Sequence, residues 1–173
     1  MPNKRSIVAI VTAGMKEAEE VISVLYNNGA EPSRCSVLAR NTGYPDKPVV
    51  YSAGKDGFAC SGNCGFSPSS KIMKMDDRGL AIAPELGIIF IGGEAVRWVV
   101  ERFEKNSETT AGLSIVGTAL YSRGIPKNSV LSYESSVKKG QCIVLARGTM
   151  DEADNTCKML KDTDCLEVNV HKY

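Results

Sequence analysis

Residues 15–25 read MKEAEEVISVL and residues 150–160 read MDEADNTCKML, and the likeness between these two segments decides the fold. When the segments are aligned, Met, Glu, Ala and the final Leu coincide. The match continues upstream, where VAIVTAG (8–14) lies over IVLARGT (143–149). Each copy has an apolar strand, a short turn and an acidic helix start in the same order, so we interpret the pair as a structural repeat.

Both copies have the pattern of a βαβ unit. In the first copy, strands are predicted at 7–11 and 35–40. Asn28-Gly29 ends the helix between them, because glycine tolerates the left-handed conformation that terminates helices. Apolar residues recur at i, i+3, i+4 and i+7, as on the buried face of a helix. These residues are Ala18, Val21, Ile22 and Leu25.

The second copy repeats this order near the end of the chain. A strand is predicted at 141–147, and Thr149 with Glu152 forms a T-x-x-E capping box at the helix start. The residues predicted to face inward on this helix are Ala153, Cys157 and Leu160. The last strand alternates, with Leu166, Val168 and Val170 on the buried face and Glu167, Asn169 and His171 on the exposed face.

Two βαβ units in one chain predict an α+β fold of the ferredoxin-like type. Such a sandwich has four antiparallel strands with two helices on one face. At 173 residues the chain fits a single domain, 1–173. We divide it into a first half at 6–40, an insertion at 41–140 and a second half at 141–173.

The insertion is predicted to begin with a polar loop and hairpin and to continue mainly as helices. PVVYSAGKDGFAC (48–60) has the pattern of a small hairpin. Three helices follow, marked by apolar residues around Trp98, Leu120 and Val130. The open face of a four-stranded sheet needs cover from these helices or from a second copy of the chain. The apolar segment 86–93 is the expected contact element, so we predict a homo-oligomer or a protein partner.

The stretch GIPKNSVLSYESSVKKGQCIVLARG (124–148) resembles the signature of the general stress protein (heat-induced stress protein) family of small bacterial domains. In that family a G-I-P stretch leads a helix carrying Tyr-Glu, followed by basic residues, glycine and an apolar strand. The matching residues are Gly124, Ile125, Pro126, Tyr133, Glu134, Gly140 and the strand at 142–146. The resemblance implies a stress-related role and gives no catalytic residues to carry over. The segment 41–79 departs from the family.

Cys60 and Cys64 are the most conspicuous candidates for chemistry outside the repeat. They lie four positions apart in ACSGNCGFSPSSK (59–71), and Ser67 stands where a CxxxCxxC cluster motif needs its third cysteine. Structural zinc usually takes two close ligand pairs, and the sequence has no second pair. A reversible disulfide, a metal site and a plain loop with two thiols therefore all stay open.

No other motif predicts a catalytic or cofactor site, so catalytic residues stay unassigned and no cofactor is expected. His171, the only histidine, is predicted to be exposed. Gly92-Gly93-Glu94 is interpreted as a helix start, because Glu94 would repel an anion. Asp76-Asp77 is interpreted as a solvated acidic pair.

Charge and hydropathy exclude two classes of partner. The net charge of +1 gives no general attraction to nucleic acid. The apolar runs at 7–11 and 80–96 are too short or too interrupted to form the ~20-residue helix that spans a bilayer. Without an export signal the expected compartment is the cytoplasm, where the six cysteines would be mostly reduced.

Three functional hypotheses follow from the sequence. The first is a non-enzymatic, stress-related protein that acts through self-association or protein binding. The second is a redox or metal-binding module centred on Cys60 and Cys64. The third is a small-ligand or enzyme site between the sheet and the insertion, which a pocket with several converging polar groups would support.

Overall fold

The fold is taken from a computed structural model, which describes residues 4–40, 53–54, 57–58, 75, 78–83, 86–104 and 110–173. Predictions for Cys60, Cys64 and Asp76-Asp77 lie outside these residues. The helices are α1 (Met15–Asn27), α2 (Ala95–Glu104), α3 (Ile115–Ser122), α4 (Lys127–Lys138) and α5 (Met150–Met159). The strands are β1 (Arg5–Thr12), β2 (Cys35–Arg40), β3 (Ala53–Gly54), β4 (Gly57–Phe58), β5 (Arg78–Ala83), β6 (Gly87–Gly93), β7 (Cys142–Thr149) and β8 (Glu167–Lys172).

Six of the strands form one open antiparallel sheet in the order β5-β6-β2-β7-β1-β8. The chain is therefore an α+β protein, as predicted, but the prediction of a four-stranded sheet is wrong. The two additional strands, β5 and β6, come from the insertion, so its described part contains sheet strands as well as the predicted helices. GIIFIGG (87–93) is short and rich in β-branched isoleucine, and it pairs with β2. The predicted contact segment 86–93 thus lies largely within the chain's own sheet.

Helices cover both faces of this sheet. One face packs against α1 and α5, and its buried cluster includes the four stripe residues predicted for the first helix. The opposite face packs against residues of α2, α3 and α4, including Val96, Leu120 and Val130. The prediction of two helices on one face therefore describes only half of the helix packing. The inserted helices cover the sheet of their own chain.

Several local predictions are confirmed. Thr149 Oγ1 accepts from the Glu152 N–H at 3.2 Å, and the Glu152 carboxylate accepts from the Thr149 N–H at 2.7 Å, which is the capping box. β3 and β4 pair as antiparallel strands, with Ala53 opposite Phe58 and Gly54 opposite Gly57, as the predicted hairpin requires. On α5, Ala153 and Leu160 are buried, but Cys157 is only half-buried and Thr156 is buried in its place.

The prediction for the two ends of the last strand is wrong. Leu166 was assigned to the buried face, yet 53% of it is exposed. His171 was assigned to the exposed face, yet only 9% of it is exposed. The reason is long-range: α4 covers this face of the sheet, and the Tyr133 hydroxyl hydrogen-bonds His171 Nε2 at 2.6 Å. Among the described residues no helix is long and apolar enough to cross a membrane.

Candidate functional site

Polar side chains from three separate segments converge at one end of the sheet. At this end β1 and β2 begin while β6 and β7 end, because neighbouring strands are antiparallel. The side chains surround a cavity of about 230 Å³, which we call the arginine cleft. It is lined by Pro32, Ser33, Arg34, Gly93, Glu94, Arg97 and Arg147. The cleft lies between the sheet end and the first turn of α2, which belongs to the insertion.

Arg147 is the most firmly held of the three arginines. Its Nε donates to Glu94 Oε2 at 3.0 Å, and its Nη2 lies 2.8 Å from Glu94 Oε1, so the pair is bidentate. Both side chains are partly buried, with 32% of Arg147 and 18% of Glu94 exposed. Burial alone would lower the pKa of Arg147. The hydrogen bond and charge of Glu94, with a further contribution from Tyr173, more than offset this and raise the pKa.

The turn before α2 places Glu94 and Arg97 at the cleft. Gly93 has a φ of 83°, which favours glycine, and a Cβ there would overlap the Cys35 carbonyl oxygen. The Ala95 N–H donates to Ser36 Oγ at 2.9 Å, a buried bond that fixes the start of α2 against β2. The N–H groups of Glu94 and Ala95 are thereby occupied within the chain. A ligand in the cleft would accordingly meet guanidinium groups before these backbone donors.

Arg34 is held more loosely. It ends the short 3-10 turn Pro32–Arg34, and its guanidinium lies 3.2 Å from Glu31 and 3.5 Å from Glu152. The exposed fraction of the side chain is 41% for Arg34, 61% for Glu31 and 54% for Glu152. Exposed ion pairs of this kind contribute about 0–1 kcal/mol to the stability of the folded protein. Arg34 can therefore turn toward a ligand at little cost in stability.

The arginine cleft brings three guanidinium groups together in a chain whose formal net charge is only +1. The charged residues of its lining are Arg34, Arg97, Arg147 and Glu94. Two of these arginines contact carboxylates: Arg147 pairs with Glu94, and Arg34 pairs with Glu31 and Glu152. Arg97 is exposed on the first turn of α2. The guanidinium N–H groups offer an anion several hydrogen-bond donors in one place.

A second cavity adjoins the arginine cleft on the face covered by α1 and α5. This helix-side pocket has a volume of about 170 Å³, and Arg34 and Arg147 line both cavities. Its charged lining residues are two arginines and two glutamates: Arg34, Arg147, Glu31 and Glu152. Its other lining includes Asn28, Asn155 and Thr156 as well as aliphatic side chains. Arg147 stands opposite Ile7 in the strand register, on the face that packs against α2, α3 and α4, so its guanidinium belongs to the cleft and not to this pocket.

The side chains most capable of nucleophilic or acid–base chemistry do not meet in these cavities. Cys35 lines the helix-side pocket, but burial, together with the charge of Glu94, raises the pKa of its thiol to about 12. The thiol therefore stays protonated and weakly nucleophilic at neutral pH. His171 packs against Tyr133 of α4 and lines neither cavity. Within the described part of the chain no three His, Cys, Asp or Glu side chains are grouped to hold a metal.

The sequence identified one element of this site and missed the rest. Glu94 was interpreted as part of a helix start, and α2 does begin at Ala95. The expected repulsion of an anion by Glu94 is weakened because Arg147 pairs with it. The repeat could have pointed to Arg147, because this arginine aligns with Thr12 and is a charged residue at the end of an otherwise apolar strand. Arg34 and Arg97 had no such signal, because only the tertiary fold brings them together.

Comparisons of the chain with protein-family models, with curated proteins and with solved structures found no match. The resemblance to general stress proteins therefore stays a prediction.

Proposed function

We propose that the protein binds a small anionic molecule in the arginine cleft and does so without catalysing a reaction. The observation that carries this proposal is the convergence of Arg34, Arg97 and Arg147 on one open cavity. These arginines come from three segments that are distant in sequence. The cleft corresponds to the site between sheet and insertion that was the third hypothesis from the sequence.

The chemistry of the cleft favours an anion over a neutral ligand. A guanidinium group is planar, stays charged at all physiological pH values and presents five N–H donors that fit carboxylate or phosphate oxygens. Arg147 is held in place by Glu94, and Arg34 has only weak, exposed ion pairs to give up. One fixed and one adaptable arginine at the same cavity suit capture of a ligand from solution.

The surrounding groups favour binding over catalysis. The thiol nearest the site, Cys35, has a pKa of about 12, so it supplies no thiolate at neutral pH. His171 is hydrogen-bonded to Tyr133 away from both cavities. The proposal therefore assigns no catalytic residue.

Thermal unfolding in the presence of anions tests this proposal. We expect sodium phosphate or sulfate to raise the Tm above that in sodium chloride at equal ionic strength. A ligand at 100 times its Kd stabilises the folded state by about 2.7 kcal/mol, or about 5–10 °C for a chain of this size. Arg97→Gln should reduce the shift to the general stabilisation that these excluded salts give any protein, because it removes one guanidinium group from the cleft.

Arg5→Gln is the matched control for this test. It removes an exposed arginine that lines neither cavity, so the anion-dependent shift should persist. Equal Tm values in phosphate, sulfate and chloride would contradict the proposal. So would equal anion effects in the Arg97 and Arg5 variants.

Two further proposals concern the type of fold and the cellular compartment. We propose that β1-α1-β2 and β7-α5-β8 form a ferredoxin-like unit to which β5 and β6 were added. The order β8-β1-β7-β2, which forms one side of the six-stranded sheet, supports this, since each unit contributes two alternating strands. The free thiols of Cys35 and Cys142 support a reducing compartment such as the cytoplasm.

Self-association through β8 is a second candidate function. In the described sheet β8 is an edge strand that pairs with β1 alone. Two exposed apolar residues flank it, Leu166 at 53% and Tyr173 at 46% exposure. Edge strands with exposed apolar neighbours are ready templates for pairing with another chain. A second copy of this chain, pairing along β8, would cover both residues.

Size-exclusion chromatography with light scattering tests the second candidate. We expect a dimer that Leu166→Lys dissociates, because the substitution places a charge beside the pairing edge. Tyr121→Lys is a suitable control, since Tyr121 is also exposed (45%) and lies on α3. A wild-type chain that stays monomeric at high concentration would remove this candidate and leave the cleft proposal intact.

A further inference from the structure

We infer that Glu31 and Glu152 regulate the arginine cleft by holding the guanidinium group of Arg34 away from an incoming anion. Neither glutamate lines the cleft, whereas Arg34 lines both the cleft and the helix-side pocket. The two carboxylates compete with the anion for the same guanidinium group. This inference rests on the proposed function, because it concerns the affinity of the same cleft for an anion.

The guanidinium group of Arg34 contacts carboxylates on the side of the helix-side pocket. Its Nε lies 3.2 Å from Glu31 Oε2, and its Nη1 lies 3.5 Å from Glu152 Oε1. Glu31 comes directly before the 3-10 turn that Arg34 ends, and Glu152 belongs to the first turn of α5. Both glutamates line the helix-side pocket. These two contacts are therefore made outside the cleft whose lining includes the same arginine.

A carboxylate acts differently on Arg147 than on Arg34. Glu94, which pairs with Arg147, lines the cleft itself and accepts from the Nε and Nη2 of that arginine. A guanidinium group has five N–H donors, so Arg147 keeps donors for an anion while the pair stays intact. Arg34 has to turn away from its two carboxylates before its guanidinium group enters the cleft. Glu94 thus holds an arginine in the site, and Glu31 and Glu152 hold one out of it.

The strength of this competition follows from the exposure of the pairs. All three side chains are exposed, so each ion pair contributes at most about 1 kcal/mol, which is a factor of about five in an equilibrium constant. The apparent Kd of an anion equals its intrinsic Kd divided by the fraction of molecules that can bind it. Removal of either carboxylate raises the fraction in which Arg34 is free. Anion binding should therefore become about two- to fivefold tighter.

Glu152 also belongs to the capping box of α5, and the test has to preserve that role. Its Oε2 accepts from the Thr149 N–H at 2.7 Å, while its Oε1 contacts Arg34. Glutamine serves at this position of a capping box as glutamate does. Glu152→Gln therefore removes the charge that pairs with Arg34 and keeps the start of the helix.

Isothermal titration calorimetry with sodium sulfate on the full chain tests the inference. We expect Glu31→Gln and Glu152→Gln each to bind sulfate about two- to fivefold more tightly than the wild type. Arg34→Gln should bind it more weakly. Asp151→Asn is the matched control, because Asp151 is exposed in the same turn of α5 and lines neither cavity. Its affinity for sulfate should stay close to that of the wild type.

A double-mutant cycle separates the contact with Arg34 from a general change of charge. In the Arg34→Gln background, Glu152→Gln should leave the affinity for sulfate unchanged, because the guanidinium group that it releases is gone. Thr149→Ala controls for the capping box, since it breaks the cap without removing a carboxylate from Arg34. The Tm of each variant, measured without sulfate, separates a change of binding from a loss of folding.

The outcomes distinguish this inference from the proposed function. If both glutamine variants bind sulfate like the wild type while Arg34→Gln weakens binding, the inference is overturned and anion binding in the cleft stands. The inference is also overturned if Asp151→Asn, or Glu152→Gln in the absence of Arg34, gives the same gain, because the gain would then come from the overall field. If neither the wild type nor any variant binds sulfate, both the inference and the proposed function fail.

Discussion

His171 and Tyr133 form a buried polar pair between β8 and α4. The Tyr133 hydroxyl and His171 Nε2 are 2.6 Å apart, and the two rings meet edge to face with centroids separated by 5.8 Å. Burial lowers the pKa of His171. Burial also raises the pKa of Tyr133, where a hydrogen bond from Asn169 opposes the shift and the charge of Glu167 adds to it. The neutral forms of both side chains are therefore favoured in the folded protein.

This pair predicts a loss of stability in mild acid. The pKa of His171 is lower in the folded protein than the value of 6.5 for a free histidine, so the unfolded chain binds more protons as the pH falls through 6.5. The free energy of unfolding should therefore decrease from pH 7.5 to 5.5. The decrease is at most about 1.4 kcal/mol per pH unit for one group. Urea unfolding at a series of pH values measures it.

His171→Gln supplies the comparison for that measurement. His171 is the only histidine in the chain, so the variant should lose most of the pH dependence in this range. The variant is expected to be less stable than the wild type at pH 7.5, because it alters a buried contact. Parallel pH profiles for the wild type and the variant would contradict the assignment to His171.

The burial of His171 could not be predicted from the alternation of residues along β8. Strict alternation along β8 placed His171 with Glu167 and Asn169, on a face expected to be exposed. Alternation assigns residues to one of two faces, but it does not reveal whether each face is covered. The cover comes from Tyr133, which is 38 positions away in the sequence.

At the scale of single elements, the capping box of α5 predicts a local stability effect. Thr149→Ala removes the side-chain oxygen that accepts from the Glu152 N–H. Loss of such a cap costs about 1 kcal/mol, so the free energy of unfolding should fall by about that amount. Chemical denaturation measures the difference. Ser132→Ala is the control, because Ser132 is exposed within α4 and its replacement should change stability by less than about 0.5 kcal/mol.

Thr149 lines neither the arginine cleft nor the helix-side pocket. The capping variant should therefore bind anions like the wild type once it is folded. A Thr149→Ala chain as stable as the wild type would show that the cap contributes little to this fold.

Elements with a clear local period were predictable, and elements of the insertion were less so. The stripe Ala18, Val21, Ile22 and Leu25 has helical spacing, and all four residues are buried in α1. GIIFIGG (87–93) is apolar throughout and has no period that identifies its partner. A short apolar run is compatible with a strand in the chain's own sheet or with an interface. Its pairing with β2 depends on contacts distant in sequence.

At the scale of the whole molecule, the antiparallel order of the sheet creates the candidate site. β2 begins where β6 and β7 end, with Ser36 opposite Gly93 and Cys35 opposite Ala146. This register brings the turn before β2, the start of α2 and the end of β7 to one place. Arg34, Arg97 and Arg147 are supplied by these three segments. The sequence predicted β2, β7 and the helix around Trp98, but it did not predict that these segments meet.

The arrangement of the layers also changes the expectation for partners. The sequence left open whether inserted helices or a second chain cover the sheet. The buried clusters on both faces are formed by the chain's own helices. Self-association is thus no longer needed to cover a sheet face, and the proposed route for it is the edge strand β8.

The most direct test of the central claim is an NMR titration of the arginine side chains with inorganic phosphate. We predict that the Nε–Hε signals of Arg34, Arg97 and Arg147 shift together and saturate. The signals of Arg5, which is exposed, and of Arg123, which pairs with Glu101 at 2.7 Å, should stay in place. If the three cleft arginines do not shift, or if all arginines shift alike without saturation, the cleft is not an anion-binding site.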